Sequence, residues 1–395
     1  MVSHGVAEVV ISMSTPAHRI LVLGAYGFFG SRICAALAKN PRIQLILAGR
    51  NLVKATAAAY QIGLSANHAR EVDATRPDLA LVLRKLGVNT LIHTAGPFQG
   101  QGYEVARAAI KAGCNYLDLA DGRAFVAGIT RLDAEARAAG VSIVSGVSSL
   151  PALTSAVVDK YRGEFKRLDA IRIGITSGAV LPGVATMQSV LGYCGKPFRT
   201  LENGAWIDVY GWLDTKQHDF QKTVGMRRIS RCDVPDLELL PQRYPGLKAV
   251  SFHAGFASNT AHQLVEKLAM LVKSGRLKSA LPFTRILYTL GRWMQPVFSD
   301  RGAMFVKLEG LHDNGARYAH TWSIVARENH GPNIPCAASI ALANKIAAGG
   351  KLPAGAMPCM GLLTVDELMT PLKGFSIREF PPYGPGGVEL GKLET

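Results

Sequence analysis

Gly24, Gly27 and Gly30 space the run Gly24-Ala25-Tyr26-Gly27-Phe28-Phe29-Gly30 as GxxGxxG, directly after the apolar run Ile20–Leu23 and at the head of a helical pattern. Strand, bare turn and helix start, in that order, suit a diphosphate. The helix end offers N–H groups to the anion, and the missing side chains let it reach the backbone. Gly24, Tyr26, Gly27, Phe28, Phe29 and Gly30 are therefore candidates for contact with a dinucleotide. The alternative is a glycine-rich turn without a ligand.

Arg50, followed by Asn51, lies twenty residues beyond Gly30, at the end of a second apolar run. NAD-binding folds place an acidic residue at about that distance to hold the ribose 2′-hydroxyl. Here no Asp or Glu occurs between Glu8 and Glu71, whereas Arg19, Arg32, Lys39, Arg42, Arg50, Lys54 and Arg70 do. A guanidinium grips a 2′-phosphate with two N–H groups, so NADP is expected over NAD, with Arg50 and Asn51 at its ribose. A surface residue opening a helix is the other reading of Arg50. Asp73 ends a weak third strand, where it meets an adenine edge or serves as a turn aspartate. Ala95, Gly96, Pro97 and Phe98 follow the run Thr90–Thr94, and their small side chains suit a ribose and nicotinamide close to the sheet. His93, inside that run, reads as a core histidine.

Hydride transfer also needs a proton donor or acceptor. Asp118 and Asp121, at the carboxyl end of a fifth strand, are candidates, although both could simply cap the following turn. His253 is a third candidate, against a structural histidine. Arg172 is a candidate for an anionic substrate. Six cysteines without a CxxC pair argue against zinc or a disulfide framework, so no metal is expected and a cytoplasmic setting is.

These residues need a scaffold. Apolar runs at Ile20–Leu23, Ile43–Ala48, Thr90–Thr94, Tyr116–Leu119 and Val141–Val144, with a weak one near Arg70–Asp73, alternate with helical patterns at 30–39, 51–61, 76–86, 101–112 and 124–139. Continuous apolar runs fit strands covered on both faces, and the rhythm fits parallel crossovers. The fold class expected is α/β: a Rossmann doubly wound parallel sheet over 18–150 after a loose lead at 1–17. Beyond Pro151 the pattern changes. Ile171, Ile173 and Ile175 alternate with Arg172 and Gly174, and strands are expected at Trp206–Trp212, Phe305–Leu308 and Tyr318–Ala326, with helix near 260–296. Residues 151–330 thus read as an α+β substrate and dimerisation domain with a mixed or antiparallel sheet. A C-terminal segment, 331–395, follows, its tail from Pro381 irregular.

Gly24–Gly30, Ala48-Gly49-Arg50, Thr94–Phe98 and Ala112–Leu119 together resemble the saccharopine dehydrogenase-like oxidoreductases. The resemblance extends through Ser145–Pro151 and, more weakly, to Gly331–Pro335 and Gly361–Glu367. It implies a Rossmann domain, a second domain forming the substrate floor and often the contact of a homodimer, and a helix near 335–348 returning to the first domain. Where the family often has Gly-Glu, this chain has Ala120-Asp121. The activity expected is NADP-dependent reduction of an imine or carbonyl, or its reverse, on a small molecule, anionic or neutral, in the interdomain cleft. Two alternatives stand beside it: a trans-acting enoyl reductase-like enzyme on carrier-bound or lipid-like chains, and a non-catalytic NADP-binding sensor.

The net charge is +15. It is densest at 266–292, where Lys267, Lys273, Arg276, Lys278, Arg285 and Arg292 face only Glu266. No nucleic-acid motif accompanies it. The stretch 266–298 reads either as a solvated basic face or as a peripheral contact with a membrane or an acidic carrier. No run of about 18 apolar residues suggests a membrane span.

Overall fold

The fold is that of a computed structural model, which describes residues 17–181, 183–220, 224–295 and 298–380, with the backbone of 388–389. The expected lead before Ala17 and most of the tail from Pro381 lie outside the described residues.

The first sheet contains β1 (His18–Leu23), β2 (Ile43–Gly49), β3 (Ala69–Glu71), β4 (Thr90–His93), β5 (Asn115–Asp118) and β6 (Ser142–Ser145). Between them run α1 (Gly30–Leu37), α2 (Leu52–Gln61), α3 (Leu79–Lys85), α4 (Glu104–Ala112), α5 (Arg123–Gly128) and α6 (Asp133–Ala138). The order is β6-β5-β4-β1-β2-β3, all parallel, the reversal between β1 and β4 giving the doubly wound Rossmann sheet. Both faces are covered: Ile20, Val22 and Ile92 pack into one apolar cluster, and Leu21, Leu23 and Leu91 into another. The single helix expected over 124–139 is divided into α5, a 3₁₀ turn at Ile129–Leu132 and α6.

The second region begins with α7 (Thr154–Tyr161), β7 (Arg167–Thr176), α8 (Val184–Gly192), β8 (Pro197–Glu202) and β9 (Ala205–Tyr210). It continues through β10 (Lys216–Asp219), β11 (Met226–Arg231), α9 (Asp236–Arg243), β12 (Ala249–Gly255), α10 (Asn259–Lys273) and α11 (Thr284–Met294). The long hairpin β13 (Gly302–Leu311) and β14 (Arg317–Ala326) follows. The sheet runs β10-β11-β12-β7-β13-β14, and it is mixed because β12 and β7 pair in parallel while the other neighbours are antiparallel. Its inner face presents Ile171, Ile173, Phe252, Val306 and Trp322 to the same cluster that holds Ile20 and Ile33. One core therefore runs through both domains and fixes one against the other.

The chain beyond 330 is not an appendage. The helix α12 (Ile334–Ala347) packs on α1, with Asn40 Nδ2 donating to Asn344 Oδ1 at 2.8 Å and Ser339 Oγ donating to the Val147 carbonyl at 2.8 Å. Its apolar residues surround it, as a helix buried on every side requires. A further strand, β15 (Gly355–Pro358), extends the first sheet beside β6, and β16 (Ile377–Phe380) joins β14 in the second. The first domain is thus built from two separate stretches of chain.

Candidate active site

The corner between β1 and α1 has the shape its sequence demands. Gly24 sits at φ +86°, and a Cβ there would lie 2.7 Å from Thr94 Oγ1. A Cβ on Gly30 would run into the Gly24 carbonyl oxygen. These two glycines hold the turn tight against β4 and let the helix close on the strand. Gly27, between them, is exposed, so the backbone at the head of α1 is open to an approaching anion. This corner fits a dinucleotide diphosphate. Phe28 and Phe29 behave differently from the glycines. Phe28 stacks under Arg32, whose Cζ lies 4.4 Å from its ring centre, and it abuts the residue before α8, while Phe29 packs against the core.

At the neighbouring end of β2, the Tyr26 ring lies where a Cβ on Gly49 would fall, and its hydroxyl accepts from the Asn51 N–H at 3.2 Å. Asn51 caps α2, its side chain accepting from the Lys54 N–H at 2.9 Å. Arg50 is exposed beside them. Asp73 lies close enough for its charge to be felt by Arg50. The Thr75 N–H and hydroxyl, at 3.0 and 2.9 Å, hold its carboxyl below the usual carboxylate range, helped by Arg50 and Arg76. These residues form a polar, basic-edged shelf next to the glycine corner.

Beyond β4 the chain divides its roles. Ala95, Gly96 and Pro97 are half-buried at the sheet edge, whereas the Phe98 ring is buried with Phe125 and Val126. The Phe98 side chain is therefore a packing residue and not a ligand contact. His93 is a core residue, its Nδ1 3.1 Å from the Tyr116 hydroxyl and its pKa pushed by burial to about 4.

A cleft of about 440 Å³ opens at this edge, between the two domains. Pro97, Gln99, Asp121, Gly122 and Arg123 line it from the first domain, and Gln188, Ser189, Gly192, Tyr193, Asp233 and Leu281 from the second. Gln99 spans it: its Nε2 donates to Asp121 Oδ1 at 3.1 Å, and its Oε1 accepts from Ser189 Oγ at 2.7 Å. Burial raises the Asp121 carboxyl, and the Gln99 hydrogen bond opposes that. Asp233 is raised by burial too, against the pull of Arg123, whose Nη1 lies 3.3 Å from Asp233 Oδ1. Arg123 also meets Glu238 Oε2 at 3.1 Å and the Arg199 carbonyl at 2.7 Å. The Tyr193 phenol is held well above its ordinary value by burial, by the Cys232 thiol and by both aspartates. An un-ionised phenol thus sits beside two carboxyl groups that burial keeps from ionising readily, a set able to hold and move a proton.

Three expected site residues are elsewhere. Asp118 is fully buried. Its Oδ1 accepts from the N–H groups of Ala120 and Gly146 and from Ser145 Oγ, each at 2.9 Å, and burial raises its pKa to about 6. It ties the end of β5 to the turn after β6 and cannot touch a substrate. His253 projects from β12 on the face opposite Phe252, away from the shared core. Burial and the charges of Lys216, Arg231 and Arg172 push its pKa to about 3. Arg172 shares that outer face and is paired with Glu309 at 2.8 Å. Sequence reading missed Gln99, Arg123, Ser189, Tyr193 and Asp233. Of these only Gln99 and Arg123 carried a signal, through their places just after β4 and β5.

Among the described residues no cluster of His, Cys, Asp and Glu could hold a metal, and no helix is long and apolar enough to cross a membrane. All six cysteines are free and buried.

Residues 20–144 match the family model described as the saccharopine dehydrogenase NADP binding domain. No curated protein matches the chain. Among solved structures the fold is similar to that of saccharopine dehydrogenase (L-Glu forming) from Saccharomyces cerevisiae. The TM-score is 0.66 at 13% identity, covering 92% of this chain and 99% of the yeast one. An amine dehydrogenase from Mycobacterium smegmatis aligns with TM-score 0.42 at 11% identity, over 90% of this chain and 96% of its own.

Proposed function

We propose, from the premise that its first domain belongs to the saccharopine dehydrogenase NADP binding domain family, that this chain is an NADP-dependent oxidoreductase. It reduces an imine, or oxidises the matching amine, in the cleft between its domains. The observation that carries this reading is the convergence of Asp121, Tyr193 and Asp233 at the carboxyl edge of the parallel sheet, where ligands of such folds bind.

The charge of the cleft favours an imine over an anion. Its lining holds two aspartates against one arginine, and that arginine is engaged by Asp233 and by Glu238. A substrate that becomes cationic relieves carboxyl groups that burial otherwise keeps from ionising. An anionic substrate would meet them as like charges.

The glycine corner would hold the diphosphate of NADP, and Arg50 with Asn51 would meet its 2′-phosphate. The bound dinucleotide supplies the hydride. The Asp121 carboxylic acid protonates the imine nitrogen, and the resulting iminium lies against the carboxylates of Asp121 and Asp233. The Tyr193 phenol, bonded to the Cys232 thiol, stays un-ionised beside that pair and adds no negative charge to it. Gln99 and Ser189 orient Asp121 from the two sides of the cleft.

The test is NADPH oxidation against cyclic imines, aldehydes and enoyl thioesters. Turnover is expected with imines, and Asp121→Asn is expected to lower kcat by about 10²–10⁴-fold with NADPH binding retained. Turnover of enoyl thioesters alone would overturn the assignment.

A further inference from the structure

The helix α11 turns an apolar arc outward. Ile286 is 58% exposed, Leu290 46%, Trp293 81% and Met294 44%. At 3.6 residues per turn these four fall within an arc of about 100°, and Arg285 and Arg292, both exposed, fall together on its flank. The packed side adjoins the arc: Leu287, next round the helix from Met294, meets the core, and a Cβ on Gly291 would lie 2.9 Å from Leu181. An ordinary surface helix buries its apolar stripe. This helix leaves most of its stripe in solvent.

The charge around the arc is one-sided. Lys267, Lys273, Arg276, Lys278, Arg285 and Arg292 meet no carboxylate among the described residues. Glu266, the stretch's one acid, is already held by Arg228 and Thr215, each at 2.8 Å. The preceding helix α10 also exposes Leu264, Met270 and Leu271, together with Lys267.

We propose that α11 docks this chain on an anionic lipid bilayer. The helix lies in the interface, with Trp293, Ile286, Leu290 and Met294 below the headgroups and Arg285 and Arg292 level with the phosphates. A second copy of the chain fits less well, since a two-fold contact would set the same cations against each other. Leu281, 42% exposed just ahead of α11, also lines the cleft, so docking places the cleft's mouth beside the headgroups.

Sedimentation of the full chain with vesicles tests this, using phosphatidylcholine alone and phosphatidylcholine with phosphatidylglycerol at roughly three to one. Binding is expected on the anionic vesicles only, weakening as salt shortens the screening length. The double variant Leu290→Ser/Trp293→Ser should bind about tenfold more weakly, at an unchanged melting temperature because both side chains face solvent. Equal binding to neutral vesicles overturns the proposal, as does full binding by the double variant. So does failure on both vesicle types, whether the chain instead captures an acidic carrier protein or forms a dimer through α11. Neither NADPH nor turnover enters the measurement, so its failure would leave the redox reading standing.

Discussion

The Ser189 hydroxyl donates to Gln99 Oε1 at 2.7 Å, joining the second domain to the first across the mouth of the cleft. The bond fixes which end of the Gln99 amide faces Asp121, and so presents an N–H to that carboxyl. Replacing Gln99 by Met removes the donor. Burial, the force that raises the Asp121 pKa, then acts with less opposition. Activity that needs Asp121 protonated should persist to higher pH: the descending limb of kcat/KM moves up in Gln99→Met and, by a smaller amount, in Ser189→Ala. An unmoved limb in both variants would remove Asp121 from the acid's role.

In the proposed reading Arg50 carries the choice of cofactor. Arg50→Asp is expected to weaken NADPH binding by about 10–100-fold, the worth of a charge-assisted contact, and NADH binding by less. Calorimetric titration with each nucleotide measures both, and equal losses would mean that Arg50 does not meet the 2′-phosphate.

Asp118 is expected to matter for stability. Removing its carboxylate leaves the N–H groups of Ala120 and Gly146 and the Ser145 hydroxyl without their acceptor inside the protein. Asp118→Ala should cost about 3 kcal/mol or more in denaturant unfolding. A loss near zero would show that the turn after β6 holds without it.

Asp236 gives stability a pH dependence. It is fully buried at the head of α9, bonded by Thr154 Oγ1, and burial raises its pKa to about 7. Its folded-state pKa lies above that of the unfolded chain. Its favourable contribution is therefore complete below the unfolded value and is lost as pH rises through about 7. Compared with Asp236→Asn, the wild type should lose stability between pH 4 and pH 8, by roughly 4 kcal/mol at most. Parallel stability profiles for the two proteins would place the titration elsewhere.

The glycine corner was legible because its chemistry is local: three residues on one turn, between a strand and a helix that announce themselves. The first sheet was legible because strands covered on both faces read as unbroken apolar runs. The cleft was not. Ser189 comes from α8, Tyr193 from the residue just past it and Asp233 from the loop after β11, and only folding brings them to Asp121. Strand parity explains the misplaced candidates. Arg172 alternates with Ile171 and Ile173, so it had to leave the core side, and His253 alternates with Phe252 in the same way. Asp118 and Asp121 differ by a few residues, yet Asp118 ends a central strand pointing inward and Asp121 has passed the sheet edge. The strand β15 escaped notice because four residues ending in Pro358 show no period.

The central claim is spatial: a dinucleotide resting on the Gly24–Gly30 corner delivers its reactive end to the cleft of Asp121 and Tyr193. A structure determined with NADPH bound measures this directly. The expected result is a diphosphate against the head of α1, with the nicotinamide in the cleft and room at about 3–3.5 Å from its C4 for a carbon whose nitrogen reaches Asp121. A diphosphate held elsewhere, or a nicotinamide facing away from Tyr193, would contradict it.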